Sequence, residues 1–291
     1  MKLISFENKG VPGWGLIQAG DALEPADNMA VVELGSRLGA PTLRDALNDS
    51  KLGLASEFSN EKNTLRFGDL TLRRPIVAPE KIVCVGVNYA DRNEEYKDDK
   101  SAAKYPSLFI RFQDSLVASG ELLRRPPESE QLDYEGEIVV VIGKAGRRIP
   151  QDKAAEHIAG LSVMNEGTIR DWLRHGKFNV TQGKNFVASG AFGPWLVTLD
   201  ECPELTDMSI TTWVNNEVRQ QDNTRRMAFP LSHLVSYIST FMMLKPGDVI
   251  ATGTPTGAGA RFDPPKWLVP DDEVIVTVDG VGTLRNRVAD E

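Results

Sequence analysis

The sequence predicts an α+β fold that is mostly β. Short apolar runs rich in β-branched residues recur along the chain, and turn residues separate them, notably Asn215-Asn216 and Asp279-Gly280 at hairpin spacing. Helical periodicity is convincing at few places. The regular strand–helix alternation of a Rossmann or TIM fold is therefore not the pattern.

Taken in order, the chain opens with two short strands, at residues 2–6 and 14–20. A helical stretch near Met29–Leu38 and a second near Thr42–Asn48 follow. Between Lys51 and Pro79 the pattern loosens into polar residues and an Arg-Arg-Pro entry, the best linker candidate. This places a small N-terminal α/β domain at residues 1–70 and a main domain at 71–291. The main domain begins with the buried-strand run Lys81–Val87. Further strands are expected at Ser107–Phe112, Glu137–Ile142, Gly193–Leu199, Ile210–Val214, Asp248–Thr252 and Glu273–Val278. The clearest helix is Leu231–Leu244, opened by Pro230 and closed by Lys245-Pro246-Gly247. Shorter helices are expected at Gln151–His157 and Thr168–His175.

Of 291 residues, 33 are Lys or Arg and 41 are Asp or Glu, a formal net charge of −8. Such a surface repels phosphate backbones, and basic residues cluster only as pairs such as Arg147-Arg148, so nucleic acid is not an expected partner. No run approaches the roughly 18 consecutive apolar residues of a membrane-spanning helix. Cys84 and Cys202 are too few and too far apart for a disulfide framework, and Cys84 lies in an apolar run that marks it as packing. The first residues lack the pattern of a secretory signal, so the expected compartment is the cytoplasm. The three histidines have no metal-ligand spacing.

The segment Asp133–Gly143 carries the most chemistry. On a strand over 134–142, Glu135 and Glu137 share a face with Cβ atoms roughly 6–7 Å apart. Two carboxylates at the mouth of a buried strand repel each other and lose hydration unless a cation lies between them; a solvated strand end explains Glu-x-Glu about equally well. A strand over Ala159–Glu166 delivers a third carboxylate, whose plainer role is as a first-turn acid favoured by the helix dipole. An oxygen-only set suits magnesium, manganese or calcium better than zinc. After the strand at 248–252, the loop Gly253–Gly259 offers backbone N–H groups and two hydroxyls suited to a carboxylate or oxyanion, though such a loop is often only a turn. Lys184 falls in a loop between elements, where a solvated surface lysine is the ordinary outcome.

In sequence order, the motifs Gly86-Val-Asn-Tyr-Ala-Asp91, Tyr105-Pro-Ser-Leu-Phe109, Asp133-Tyr-Glu-Gly-Glu137, Asn165-Glu166 followed by Arg170-Asp171-Trp172, Gly183-Lys184, Gly193–Thr198 and Gly253-Thr-Pro-Thr-Gly257 resemble the fumarylacetoacetate hydrolase family over about residues 80–288. The resemblance implies a β-roll or sandwich catalytic domain, a homodimer, and one Mg²⁺ or Mn²⁺ held by Glu135, Glu137 and Glu166, the last at a position commonly Asp. It implies a small-molecule 2-oxo acid substrate, Lys184 as an active-site lysine, and Tyr89, Arg111, Gly253 and Thr254 as substrate-binding residues. Hydrolases of the family often carry a His three residues before a Glu. Here those positions are Arg92 and Glu95, and arginine cannot accept a proton. The expectation is hydrolysis of a carbon–carbon bond in an acylpyruvate such as fumarylpyruvate or maleylpyruvate, with Glu95 and Lys184 catalytic and Arg92 available to a second carboxylate. Decarboxylation, isomerisation or dehydration of a 2-oxo acid is the alternative, and a non-catalytic oxo-acid-binding protein the remaining one.

Overall fold

The computed structural model describes residues 1–62, 64–89, 104–176 and 179–291; Arg92 and Glu95 lie outside the described residues. Two β-sheets organise the chain. The larger has the strand order Leu65–Arg66, Ala30–Glu33, Val11–Ile17, Lys2–Asn8, Gly190–Thr198, Ile158–Asn165, Gly136–Ile142, Val249–Ala251, Ile82–Gly86 and Ser107–Ile110. The smaller runs Glu217–Asn223, Ser209–Val214, Glu273–Val278, Gly282–Asp290 and Leu122–Arg125. Lys2–Asn8 pairs antiparallel with Gly190–Thr198, so the large sheet runs on across residue 70.

Gly136–Ile142 is central and buried along its whole length. Ile138, Val140 and Ile142 join the core with Ile210, Val276 and Val278 of the second sheet and with Leu234 and Ile238 of the helix Leu231–Phe241. Val139 and Val141 join the opposite core with Trp14, Leu43 and Ala46. Alternate residues thus enter two different cores, which is why this antiparallel strand reads as an unbroken apolar run.

Both expected hairpins form. Asn215 takes the positive φ that its turn demands, and Gly280 does so in the other. Thr42 caps the helix Leu43–Asn48 through a reciprocal pair with Asp45. Four helical expectations change. Met29–Leu38 splits into the strand Ala30–Glu33 and a single turn at Gly35–Leu38, because Ala30, Val31 and Val32 extend the sheet at its edge. Gln151–His157 is a 3₁₀ helix. Thr168–His175 is the short strand Thr168–Ile169 followed by a 3₁₀ turn, Asp171–Arg174, since Thr168 pairs with Asp133. The helix expected to reach Leu244 ends at Phe241.

Candidate metal and active site

The strands Gly136–Ile142, Ile158–Asn165 and Val249–Ala251 bring the site together at one end of the large sheet. Gly136 pairs with Asn165, so the residues flanking these positions, Glu135 and Glu166, lie side by side; the Glu166 N–H donates to the Glu135 carbonyl at 2.7 Å. On the other side, Val139 pairs with Ala251, which carries the following loop to Glu137, whose Oε2 accepts from the Gly253 N–H at 2.8 Å. The glycine between the two glutamates is dictated by packing. A Cβ at Gly136 would lie 2.1 Å from the Thr212 hydroxyl and 2.9 Å from Val276.

Glu135, Glu137 and Glu166 are all buried, and one carboxylate oxygen from each lies within 4.8 Å of the others. Lys184 closes the cluster. It donates to Glu135 Oε2 and, at 2.9 Å, to Glu166 Oε2, with its ammonium 5.1 Å from the Phe109 ring. It stands on the single helical turn Thr181–Lys184 and is only 5% exposed, not the solvated surface lysine that is the ordinary outcome in a loop. Behind the cluster, Arg170 donates from Nε to Asp133 Oδ2 and from Nη2 to Glu135 Oε1, both at 2.7 Å. Asp133 also accepts from the Gly259 and Ala260 N–H groups at 2.7 and 3.0 Å. This buried pair was not legible in sequence, where Arg170 fell within the short helix expected at Thr168–His175.

Burial, with repulsion from Glu166 and Glu135, pushes the Glu137 carboxyl well above the usual carboxylate range, against Lys184 and the Gly253 N–H. Burial works to lower the Lys184 ammonium, but Glu135 and Glu166 together carry it above the ordinary lysine value, with Arg170 opposing. Cys84 lies beside the cluster, and burial together with Glu166 and Glu137 holds its thiol protonated.

The donor set fits a hard divalent cation. Of four buried carboxylates, Asp133, Glu135 and Glu166 meet the two cations Arg170 and Lys184 through direct hydrogen bonds, while Glu137 accepts from the Gly253 N–H. Glu166 Oε1 is buried with no hydrogen-bond donor of ordinary geometry among the described residues. A buried carboxylate oxygen left in this state is costly unless a cation occupies its open side.

The triad opens onto a cavity of about 490 Å³. Its wall includes Thr254, with Lys184, Arg170 and the apolar side chains Val85, Val87, Leu108, Phe109 and Leu173. Gly253 contributes its N–H to Glu137. The other two expected binding residues stand back from the wall. Arg111 is 1% exposed, and its guanidinium donates to the Gly167 carbonyl at 2.8 Å and to Ser189 Oγ and Ser115 Oγ at 3.0 Å; its contacts serve the loops that carry Glu166 and the strand Gly190–Thr198. Tyr89 is buried, its hydroxyl has no partner among the described residues, and burial raises its phenol above the ordinary value. Val87, beside it, holds a φ of +54°, unusual for a β-branched residue. The neighbouring Asn88 pins it with hydrogen bonds to the Phe229 N–H and to the Phe229 and Thr252 carbonyls.

A mostly-β fold with a three-carboxylate cluster at the end of its central strand defines the class, and the sequence places the chain within it. Residues 81–289 match the fumarylacetoacetate (FAA) hydrolase C-terminal family, and the chain belongs to that family. Among its relatives is the mitochondrial oxaloacetate tautomerase FAHD2A of Bos taurus, 38% identical over 222 residues, covering 76% of this chain and 70% of that protein. The fumarylacetoacetate hydrolase (EaFAH) of psychrophilic Exiguobacterium antarcticum is 30% identical, with a TM-score of 0.86 over the whole of both chains. The 5-carboxymethyl-2-hydroxymuconate delta-isomerase of Mycobacterium smegmatis is 26% identical, with a TM-score of 0.78 over 100% of this chain and 99% of that one.

Proposed function

We propose that this protein is a divalent-metal-dependent enzyme that moves a proton between carbon and solvent in a 2-oxo acid, interconverting its enol and keto forms. The observation that carries this reading is the wall of the cavity. Its ionisable side chains among the described residues are Glu135, Glu137, Glu166, Arg170 and Lys184, with no histidine. Glu135, Glu137 and Glu166 would hold Mg²⁺ or Mn²⁺, which supplies Lewis acidity toward the oxygens of a 2-oxo acid.

Lys184 is then the side chain suited to carry a proton. Held as an ammonium by Glu135 and Glu166, it acts as the acid in ketonisation, passing a proton from Nζ to the carbon next to the carbonyl carbon while the enol hydroxyl releases its own proton to water. In the reverse direction the neutral amine takes the carbon-bound proton back. The Thr254 hydroxyl and the Gly253–Gly257 loop orient oxygens, and the apolar side of the wall limits access of water to the carbon. The bovine relative is named for a reaction of this class.

Hydrolytic cleavage of an acylpyruvate is the second reading. Whole-chain likeness to the Exiguobacterium hydrolase favours it, and Glu95 is its candidate base. The two readings separate in one experiment. With Mn²⁺, the purified protein should speed the decay of enol-oxaloacetate absorbance and release no pyruvate from acylpyruvates. Pyruvate release with solvent ¹⁸O in the acid product would instead establish hydrolysis, and no effect on either substrate would exclude both.

A further inference from the structure

Gln220 lies on the strand Glu217–Asn223 of the smaller sheet, outside the cavity wall, and is 1% exposed. Its amide is fully used. Oε1 accepts from the Gly136 N–H at 2.9 Å, and Nε2 donates to Thr254 Oγ1 at 2.8 Å and to the Pro255 carbonyl at 2.9 Å. An amide N–H only donates and a carbonyl oxygen only accepts, so Gly136 and Pro255 fix which end of the Gln220 amide faces which way. The remaining Nε2 proton therefore points at Thr254, whose oxygen must accept it. A hydroxyl has a single proton, and that of Thr254 is turned away from Gln220, on a side chain that lines the cavity. The loop is braced against the same strand at a second point. Gly257 has a φ of +98°, and a Cβ there would lie 2.0 Å from the Arg219 carbonyl oxygen.

We propose that Gln220 is a positioning residue of this site: one buried amide sets the Thr254 hydroxyl as a hydrogen-bond donor toward an anionic or carbonyl oxygen in the cavity, and holds the backbone that spaces Glu135 from Glu137. The ligand's identity rests on the reading of the cavity as a 2-oxo-acid site; the role at Gly136 does not. Gln220→Met keeps the side-chain length and removes all three hydrogen bonds. Gln220→Glu goes further, because a carboxylate accepts the Thr254 proton and withdraws it from the cavity.

The test uses the full chain loaded with Mn²⁺ and oxalate as the probe, with binding of each followed by titration calorimetry and folding checked by circular dichroism. Gln220→Met should weaken Mn²⁺ and oxalate binding roughly 10–100-fold, the usual cost of losing a residue that orients a ligand. Gln220→Glu should weaken oxalate binding about as much as Thr254→Val, and adding Thr254→Val to it should cause no further loss. Additive losses, or Gln220 variants that melt earlier but bind Mn²⁺ and oxalate as the parent does, would overturn the role. If Gln220→Glu does not fold, Gln220→Met decides. If the parent binds no oxalate, the 2-oxo-acid reading falls, and Mn²⁺ affinity alone decides whether Gln220 positions the carboxylates.

Discussion

Replacing Lys184 with Met isolates the charge balance of the site while keeping the side-chain length. In the parent, Lys184 donates to Glu166 and shares Glu135 with Arg170 and Thr168. Removing one partner from a buried ion pair costs roughly 3–5 kcal/mol. With about 2.1 cal/mol/K of unfolding entropy per residue, each kcal/mol is roughly 1.6 °C of melting temperature for 291 residues, so EDTA-treated Lys184→Met should melt roughly 5–8 °C below the parent. Adding Mn²⁺ narrows the gap without closing it. The cation meets the same carboxylates without a competing ammonium, so Mn²⁺ should stabilise the variant more than the parent and bind it about tenfold more tightly, equivalent to about 1.4 kcal/mol. Turnover should be lost. Melts followed by circular dichroism with EDTA or saturating MnCl₂, together with Mn²⁺ titration, read all three. A variant that melts with the metal-free parent and binds Mn²⁺ more weakly would refute the charge argument.

Asp133→Ala removes one of the two buried carboxylates that meet Arg170 and leaves the Gly259 and Ala260 N–H groups without this acceptor, so denaturant unfolding should show a loss of about 3–5 kcal/mol that Mn²⁺ does not restore. Asn88→Ala leaves one N–H and two carbonyls around Val87 unpaired; a loss of about 3 kcal/mol is expected from the same measurement, with cavity function impaired before the protein unfolds. Glu137 gives a pH test. Its carboxyl is raised in the folded protein by burial and by Glu166 and Glu135, so the protonated form is favoured there and its contribution to stability is lost as pH rises through the raised value. Melting temperature of the metal-free protein should therefore fall as pH rises above the ordinary carboxylate range, and Glu137→Gln should flatten that slope.

Much of the fold was legible because its signals are local. Alternation and β-branched runs located the strands, and Asn215-Asn216 and Asp279-Gly280 marked their hairpins. The errors came where tertiary pairing outweighed local pattern. Ala30–Glu33 is a strand because a sheet edge is there to receive it, and Thr168–Ile169 because Asp133 lies opposite. In the site, periodicity put Glu135, Glu137 and Glu166 at strand ends, and the family resemblance, not the alternation, grouped them as ligands. Lys184 carried no local sign of burial, since the carboxylates that hold it are 18 and 49 residues away. Gln220 is further removed, from a different sheet, and nothing in the alternation of its strand marks it as a partner of Thr254.

In the proposed reaction Lys184, beside the three carboxylates, moves a proton to and from the carbon next to the carbonyl of a 2-oxo acid. Proton NMR in D₂O measures that transfer directly, as loss of the C3 proton signals of 2-oxobutyrate or oxaloacetate above the rate with Mn²⁺ alone. Exchange that needs protein and Mn²⁺ together, and that disappears in Lys184→Met and Glu137→Gln while Mn²⁺ still binds Lys184→Met, is the predicted result. Parent-like exchange in Lys184→Met, or exchange that persists in EDTA, would contradict it.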